Sequence, residues 1–448
     1  MRDAALLVVL ITMAYNVPLA LRGLFFARRS DASLRTQVTR DKRPPAPLPA
    51  GWSVFALVPC LNEERVIANT VRALLMEQPG VRVVVVDDGS DDATAALAAA
   101  TGRGRITVVR RAPPEARRGK GAALNAGLRA IRSRAREEGL DPARVLVCVL
   151  DADGRMTPGA AARVVPLFED PDVGGTQLAV RIRGRRHWAL RCQDMEFWGL
   201  SAVGQFGRVA TKSVSMAGNG QFTRLAALDG VGERPWSDSL TENLDLGISL
   251  AVRGWTVTST TGAYVSQQGL TDPRRLLRQR TRWHQGHMGA ILRLPELWFH
   301  SAAPFRARAE LTGYLLVPYL TTLPWSVLQQ YLLLATVRGH AARLAGLAGE
   351  PVGTAVWKGL AWYSVSFAPY LAWGLVYWRR SGDLPVWKAL LYSHAQVLWI
   401  YLSFAAGWRA VWRLAARRTS WAKTEHAEEP LIAVRPPAAL PSVTTRHP

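Results

Sequence analysis

The sequence predicts an α/β domain on a doubly wound sheet, held between membrane-crossing helices. Three observations predict it. Strand and helix patterns alternate from residue 54 to 150, uncharged apolar runs stand at both ends of the chain, and cations collect beside those runs. The chain has 448 residues, 49% hydrophobic, with 17 Trp and a formal net charge of +22. So much apolar surface excludes a disordered basic protein, whose composition could not offset the entropy of ordering. Cys60, Cys148 and Cys192 lie among apolar neighbours and are too few for a disulfide framework, so they read as small buried hydrophobes.

The first element is Ala4 to Leu21, an uncharged run of 18 residues, about the shortest that spans a ~30 Å hydrocarbon core. Arg22, Arg28, Arg29, Arg35, Arg40, Lys42 and Arg43 follow it, which marks that flank as cytoplasmic and the run as an anchor (residues 1–22) rather than a cleaved signal. A basic, proline-rich linker is expected over 23–50, stiffened by Pro44, Pro45, Pro47 and Pro49. The α/β rhythm then begins. Val54–Val58 reads as a strand, residues 63–76 as a helix, and Val81–Val86 as a β-branched strand of the kind buried on both faces. A helix over 91–100, a strand Ile106–Val109, a helix over 121–136 and a strand over 145–150 complete the alternation.

Beyond residue 300 come three apolar stretches, 311–337, 354–378 and 386–408, each long enough to span and edged by Trp or Tyr. Three spans would carry the tail cations Arg409, Arg413, Arg417, Arg418 and Lys423 to the far side, against the usual bias. Either one stretch is re-entrant or the bias fails here, and Pro318 and Pro324 make the first stretch the candidate for irregularity. The cations thus flank apolar runs or crowd Arg274–Arg282, a pattern of membrane contact and anion handling that excludes nucleic-acid binding.

In a doubly wound sheet, ligands collect past the carboxyl ends of the strands. Two strands end there in carboxylates: one runs into Asp87-Asp88-Gly89-Ser90, another into Asp151-Ala152-Asp153. Crowded carboxylates repel unless a cation or a donor-rich ligand holds them. An Asp-x-Asp turn can offer oxygens to Mg²⁺ or Mn²⁺ while ligand phosphates fill the shell. Gly119-Lys120-Gly121 adds a flexible turn with one cation, followed by Asn125.

These blocks resemble a known pattern. Pro59-Cys60-Leu61-Asn62-Glu63-Glu64, the two acidic turns, and Gly119 to Asn125 are similar to the donor half of family 2 glycosyltransferases, which have a Rossmann-like GT-A fold. Gly218-Asn219-Gly220-Gln221-Phe222 resembles their acceptor loop, Thr241-Glu242-Asn243 their Thr-Glu-Asp block, and Gln279-Arg280-Thr281-Arg282-Trp283 their Gln-x-x-Arg-Trp motif. The last motif marks membrane-embedded processive members such as cellulose, chitin, hyaluronan and Nod-factor chitooligosaccharide synthases.

The resemblance implies roles. Pro59, Asn62, Glu64, Asp87, Asp88, Lys120, Asn125, Asp151, Gln279, Arg280 and Arg282 would bind the nucleotide-sugar donor. Asp151 and Asp153 would hold Mg²⁺ or Mn²⁺, and Trp283, Gly218 and Asn219 would meet the acceptor. The base that deprotonates the acceptor is normally the third residue of Thr-Glu-Asp. Here it is Asn243, whose amide cannot accept a proton. The role then passes to Glu242 or Asp245, or the chain is catalytically silent.

The expected organisation is therefore an anchor (1–22), a linker (23–50) and a cytoplasmic catalytic domain (51–270). Interfacial helices (271–305), about three spans (306–412) and a polar tail (413–448) follow. The expected protein is a multi-pass enzyme of a bacterial inner membrane that extends a polysaccharide with a nucleotide sugar, alongside accessory export or synthase subunits. The alternatives are single addition to a lipid-linked acceptor and a silent donor-binding subunit.

Overall fold

The computed structural model describes residues 2–38, 45–344, 351–418 and 426–431. The expected alternation is present, with boundaries shifted by a few residues. Strand β1 (Ser53–Cys60), helix α2 (Ile67–Glu77), β2 (Arg82–Asp87), α3 (Thr94–Gly102), β3 (Ile106–Arg110), α4 (Lys120–Glu137) and β4 (Val145–Val149) follow helix α1 (Arg2–Val38). The helix signal between strands comes from apolar residues at helical spacing. In α4, Leu124, Leu128, Ile131 and Ala135 share the buried face.

The remaining strands are β5 (Arg155–Met156), β6 (Val173–Ile182), β7 (Gln221–Arg224) and β8 (Thr256–Gln267). The sheet has eight strands in the order β3-β2-β1-β4-β7-β6-β8-β5. Its first half is parallel throughout, while β7 runs antiparallel to both β4 and β6. The sheet is thus mixed rather than purely parallel. Side chains alternate strictly across it. Val54, Ala56 and Val58 join Val83, Val85, Leu146 and Cys148 on one face, under α2. Phe55 and Leu57 join Val84, Val86, Val145 and Val147 on the other, under α4. Burial on both faces is why these strands read as unbroken apolar runs.

The other helices are α5 (Ala160–Val164), α6 (Trp188–Asp194), α7 (Ala202–Val209), α8 (Leu225–Val231), α9 (Glu242–Val252), α10 (Pro273–Gly289) and α11 (Leu294–Phe299). Next come α12 (Phe305–Val317), α13 (Leu323–Leu344), α14 (Val352–Ser381) and α15 (Val386–Ala415). A π-helical turn, Met195–Ser201, joins α6 to α7, and a second, beginning at Pro318, joins α12 to α13. The second falls where the prolines pointed.

Two expectations change. Helix α1 continues to Val38, so any linker is shorter than 23–50; residues 39–44 lie outside the described chain, and 45–49 have no regular structure. By length and composition, the described helices long and apolar enough to cross a membrane are Leu6–Arg29 and Val386–Ala415. Yet α15 is bonded to the α/β domain at several levels. Gln396 Nε2 donates to the Cys192 carbonyl (2.7 Å), Trp399 Nε1 to Glu196 (3.5 Å) and Arg413 Nε to Gln285 Oε1 (2.7 Å). Its last turn and residues 426–431 are packed against the α/β domain; Lys423 and residues 432–448 lie outside the described chain.

Helix α1 docks on α7 through glycines. A Cβ at Gly207 would collide with the Leu19 carbonyl, and one at Gly23 with the Val203 carbonyl. Tyr15 donates to Glu310 of α12 (3.0 Å), and Arg208 of α7 donates to Tyr15 (2.9 Å) and to Glu310 (3.3 Å), which ties the three helices together. Leu6, Leu10, Met13, Val17, Leu21 and Phe25 of α1 stay exposed along its outer side. Gly207→Val is expected to destabilise the detergent-solubilised protein by about 1–3 kcal/mol, read as a lowered thermal midpoint. Gly289→Ala, where a Cβ meets nothing within 4 Å, leaves the midpoint unchanged or raises it.

Candidate active site

The strand ends open into a cavity of about 440 Å³. Asp88 follows β2, Asp151 and Asp153 follow β4, Lys120 begins α4, Glu242 begins α9, and Arg282 and Trp283 project from α10. Pro59, Asn219, Asn243 and Gln279 also line it, so most of the expected residues converge from seven separate segments.

Lys120 lies at the centre of the charge. Its Nζ is 2.5 Å from Asp151 Oδ1 and 3.9 Å from Glu242 Oε1. Burial works to raise Asp151, but Lys120 outweighs it and holds the carboxyl below the usual range. At Glu242 burial wins over Lys120, and the carboxyl is pushed up. Burial likewise raises Asp88, against the pull of Arg111, and lowers Arg282, against Glu242 and Asp151.

Asn243 is held on both sides. Its Oδ1 accepts the Trp236 indole N–H (3.1 Å), and its Nδ2 donates to Glu242 Oε1 (2.6 Å). The amide thus positions the Glu242 carboxylate, which faces the cavity and can accept a proton. Gly218, at φ +96°, lets the backbone pass beside this pair, since a Cβ there would strike Asn243 Nδ2.

Other expected residues are placed elsewhere. Asp245 faces Arg293 of the turn after α10, which consumes its charge. Arg280 is buried in a bidentate pair with Glu196, one bond being 2.8 Å, and its guanidinium lies 4.8 Å above the Trp283 ring. It braces α10 and does not line the cavity. Asn62 and Glu64 knit two loops: Asn62 Oδ1 accepts the Asp91 amide (2.9 Å) and Glu64 Oε2 the Ala93 amide (3.2 Å). Asp87 Oδ1 accepts the Ser90 amide (3.1 Å), and both ends of the Asn125 amide are taken by the Trp236 backbone. These are second-tier supports of the loops that carry the site.

Sequence reasoning missed Glu63, which lines the cavity where Glu64 was expected, and His426 of the tail. His426 Nδ1 is 2.7 Å from Glu63 Oε2, and its Nε2 is 3.7 Å from Asp153 Oδ2. Burial disfavours the charged ring, but Asp153 and Glu63 prevail and push it up to about 9. No local signal in the tail marks this residue.

The donor set suits a hard divalent cation. Asp151 and Asp153 stand two apart on one turn, and burial raises Asp153 against the partial relief of His426, leaving a carboxylate short of positive charge. Among the described residues no group of three His, Cys, Asp or Glu side chains is arranged to hold an ion by itself. Ligand phosphates and water would complete the shell.

The two arginines of α10 separate by experiment. Arg280→Ala strands the partly buried Glu196 carboxylate and is expected to cost about 1–3 kcal/mol in thermal unfolding. Arg282→Ala gives a smaller loss, because it removes a cavity-lining cation and leaves the Glu196 pair intact.

A family model described as "Glycosyltransferase like family 2" matches residues 49–286. A beta-monoglucosyldiacylglycerol synthase from Synechocystis sp. is 32% identical over 313 residues, covering 68% of this chain and 61% of the relative. The corresponding synthase of Trichormus variabilis is 29% identical over 310 residues, covering 68% and 63%. The chain thus spans about three fifths of the length of these curated relatives. A mannosyltransferase from Pyrobaculum calidifontis, solved with GDP-Man and Mn²⁺, superposes with a TM-score of 0.51 at 18% identity, covering 88% of this chain and 99% of that one, a likeness of fold. With its strand-end carboxylates, its Gln-x-x-Arg-Trp helix and this match over more than half its length, the chain belongs to glycosyltransferase family 2 and has the GT-A fold.

Proposed function

We propose that the protein is a membrane-bound inverting glycosyltransferase that moves a single hexose from a nucleoside-diphosphate donor to the hydroxyl of a lipid. One observation carries the reading: the cavity that gathers the charged groups is also walled by apolar residues that cluster with helices α1 and α12. Ala179 and Ala202 line it and cluster with Ala27 of α1, and Leu244 lines it and clusters with Leu311 and Leu315 of α12. Such a wall suits an acyl chain or glycerol backbone entering from the bilayer. The curated relatives are synthases of a glucosylated diacylglycerol, which supports a glycerolipid acceptor. The exposed apolar side of α1 supports attachment to the membrane, with the α/β domain in the cytoplasm.

In this reading the acceptor hydroxyl attacks the anomeric carbon from the side opposite the leaving diphosphate. Glu242 accepts the hydroxyl proton, and its raised affinity for protons suits that task. Asn243 keeps the carboxylate in place through its amide N–H. Arg282 neutralises the departing diphosphate, which a guanidinium fork does well, and Lys120 balances Asp151 and Glu242. A bound Mg²⁺ or Mn²⁺ on Asp151 and Asp153 would supply further charge neutralisation.

Membranes carrying the chain, incubated with radiolabelled UDP-glucose, UDP-galactose or GDP-mannose and diacylglycerol, are expected to yield an organic-soluble lipid bearing one sugar. A long water-soluble or insoluble polymer from any of these donors would overturn the lipid reading and favour polysaccharide synthesis. Glu242→Gln is expected to lower turnover by about 10²–10⁴-fold. Because burial raises the Glu242 carboxyl, the acid limb of kcat/KM in the unmodified protein lies above the ordinary glutamate range, activity rising as pH increases through it. A pH profile checks this, and the limb disappears in Glu242→Gln.

A further inference from the structure

A second cavity, of about 510 Å³, lies between α6, α14 and α15 and shares no lining residue with the active site. Trp188, Phe367, Leu391, Ala395, Val397 and Leu398 line it. Trp188, Leu391 and Leu398 are each more than half exposed, so the cavity is an open groove. Its walls are held from behind. The Trp188 ring stands edge-on to Trp399 at 6.0 Å, and Gln396 Nε2 donates to the Cys192 carbonyl (2.7 Å), which fixes α15 on α6.

The histidine in the groove is satisfied within the protein. His394 Nδ1 is 2.8 Å from the Leu390 carbonyl, which can only accept, so that nitrogen carries the proton. Nε2 then accepts the Tyr363 hydroxyl, and the ring packs on Phe367 at 5.3 Å. What remains open is mainly hydrocarbon surface, which suits acyl chains better than a polar ligand.

Charge gathers at one end of this groove. Helices α14 and α15 form a hairpin whose turn carries Asp383, the single acidic residue from Val352 to Ala415. Arg185 (3.2 Å) and Arg191 (2.9 Å) both bind it, so its charge is spent. Arg186 and His187 are exposed immediately before Trp188, and the exposed Lys388 stands one turn ahead of Leu391 and Tyr392. The turn end of the groove is therefore cationic. Leu398, at the other end, is about 15 Å along the helix axis from Lys388. That is half of a ~30 Å hydrocarbon core, the depth that the acyl chains of one leaflet fill.

We propose that this groove binds an anionic glycerophospholipid, with its chains along α15 and its phosphate on Arg186 and Lys388. The site is separate from the catalytic cavity and does not depend on which sugar or acceptor the enzyme uses. A lipid seated there packs against α6 and α15 together, and so bridges the α/β domain to the hairpin. A zwitterionic lipid would bring its own cation to the cationic end. A second copy of the chain, docking an apolar helix face, would leave both cations without a counter-charge.

The test is native mass spectrometry of the full-length, delipidated protein in detergent, titrated with dioleoyl phosphatidylglycerol or dioleoyl phosphatidylcholine. One phosphatidylglycerol is expected to bind in preference. Arg186→Ala and Lys388→Ala are each expected to weaken it about 5-fold, while phosphatidylcholine binding and the thermal midpoint stay unchanged. Ala395→Trp, which fills the groove, is expected to abolish the preferential binding. Phosphatidylglycerol with a diazirine on one acyl chain is expected to label residues 391–398 of the unmodified protein. Equal affinity for the two lipids, a preference that survives both charge substitutions, or labelling confined to other helices overturns the proposal. So does a dimer that Ala395→Trp splits, which assigns the groove to a second copy.

Discussion

One cation organises the candidate site. Two carboxylates, Asp151 and Glu242, reach the cavity from different strands and helices, Glu242 the more deeply buried of the two. Lys120, on the glycine-flanked turn that opens α4, stands between them at 2.5 and 3.9 Å. The shorter contact keeps Asp151 ionised, while the longer one leaves Glu242 under the influence of burial. A single ammonium therefore drives two carboxyls apart in proton affinity, as acid–base sites require. Gly218 and Gly121 make this possible. Side chains at either position would push the backbone of the Asn219 loop or the 236–237 turn out of reach.

The sheet explains why these residues meet at all. Parallel strands β1, β2 and β4 end on the same side, so the loops after them share one edge. The antiparallel β7 then brings the Gly218-Asn219 turn to that edge from the opposite direction, with the Asn219 Oδ1 accepting the Asp151 amide at 3.2 Å. The reversal of strand direction beside β4 is what closes the cavity, with one half of the sheet supplying the strand-end carboxylates and the other the turn beside them.

The first half of the sheet was legible because its signals are local. Apolar runs of five or six residues, punctuated by Gly, Asp and Asn, carry strand, turn and face in one string. The second half was less legible. Strands β6 and β8 pair across more than 80 residues, and β5 has two residues, too few to leave a periodic trace. Site residues divide in the same way. Asp88, Asp151 and Asp153 announce themselves by following buried strands. Glu196, which claims Arg280, sits 84 residues from its partner on a π-helical turn that no short-range pattern marks. His426 is more distant still, 363 residues from Glu63, and a lone histidine among charged tail residues looks like any solvated tail.

Helix geometry decides which of several adjacent polar residues acts. Positions two apart on a helix lie about 200° around its axis, so Arg280 and Arg282 cannot serve the same side of α10. One pairs with Glu196, and the other lines the cavity with the carboxylates. The same arithmetic separates Asn243 from Asp245 on α9, and Arg293 on the outer side takes the aspartate. With Asn243 at the position of the familiar aspartate, the α9 carboxylate that lines the cavity is Glu242, one residue earlier at the helix start. The amide that remains donates to that carboxylate at 2.6 Å, a bond an aspartate could not make while ionised. Aspartate at 243 would place two like charges on neighbouring residues beside one lysine, whereas asparagine leaves Glu242 as the sole ionisable group facing Lys120 from α9.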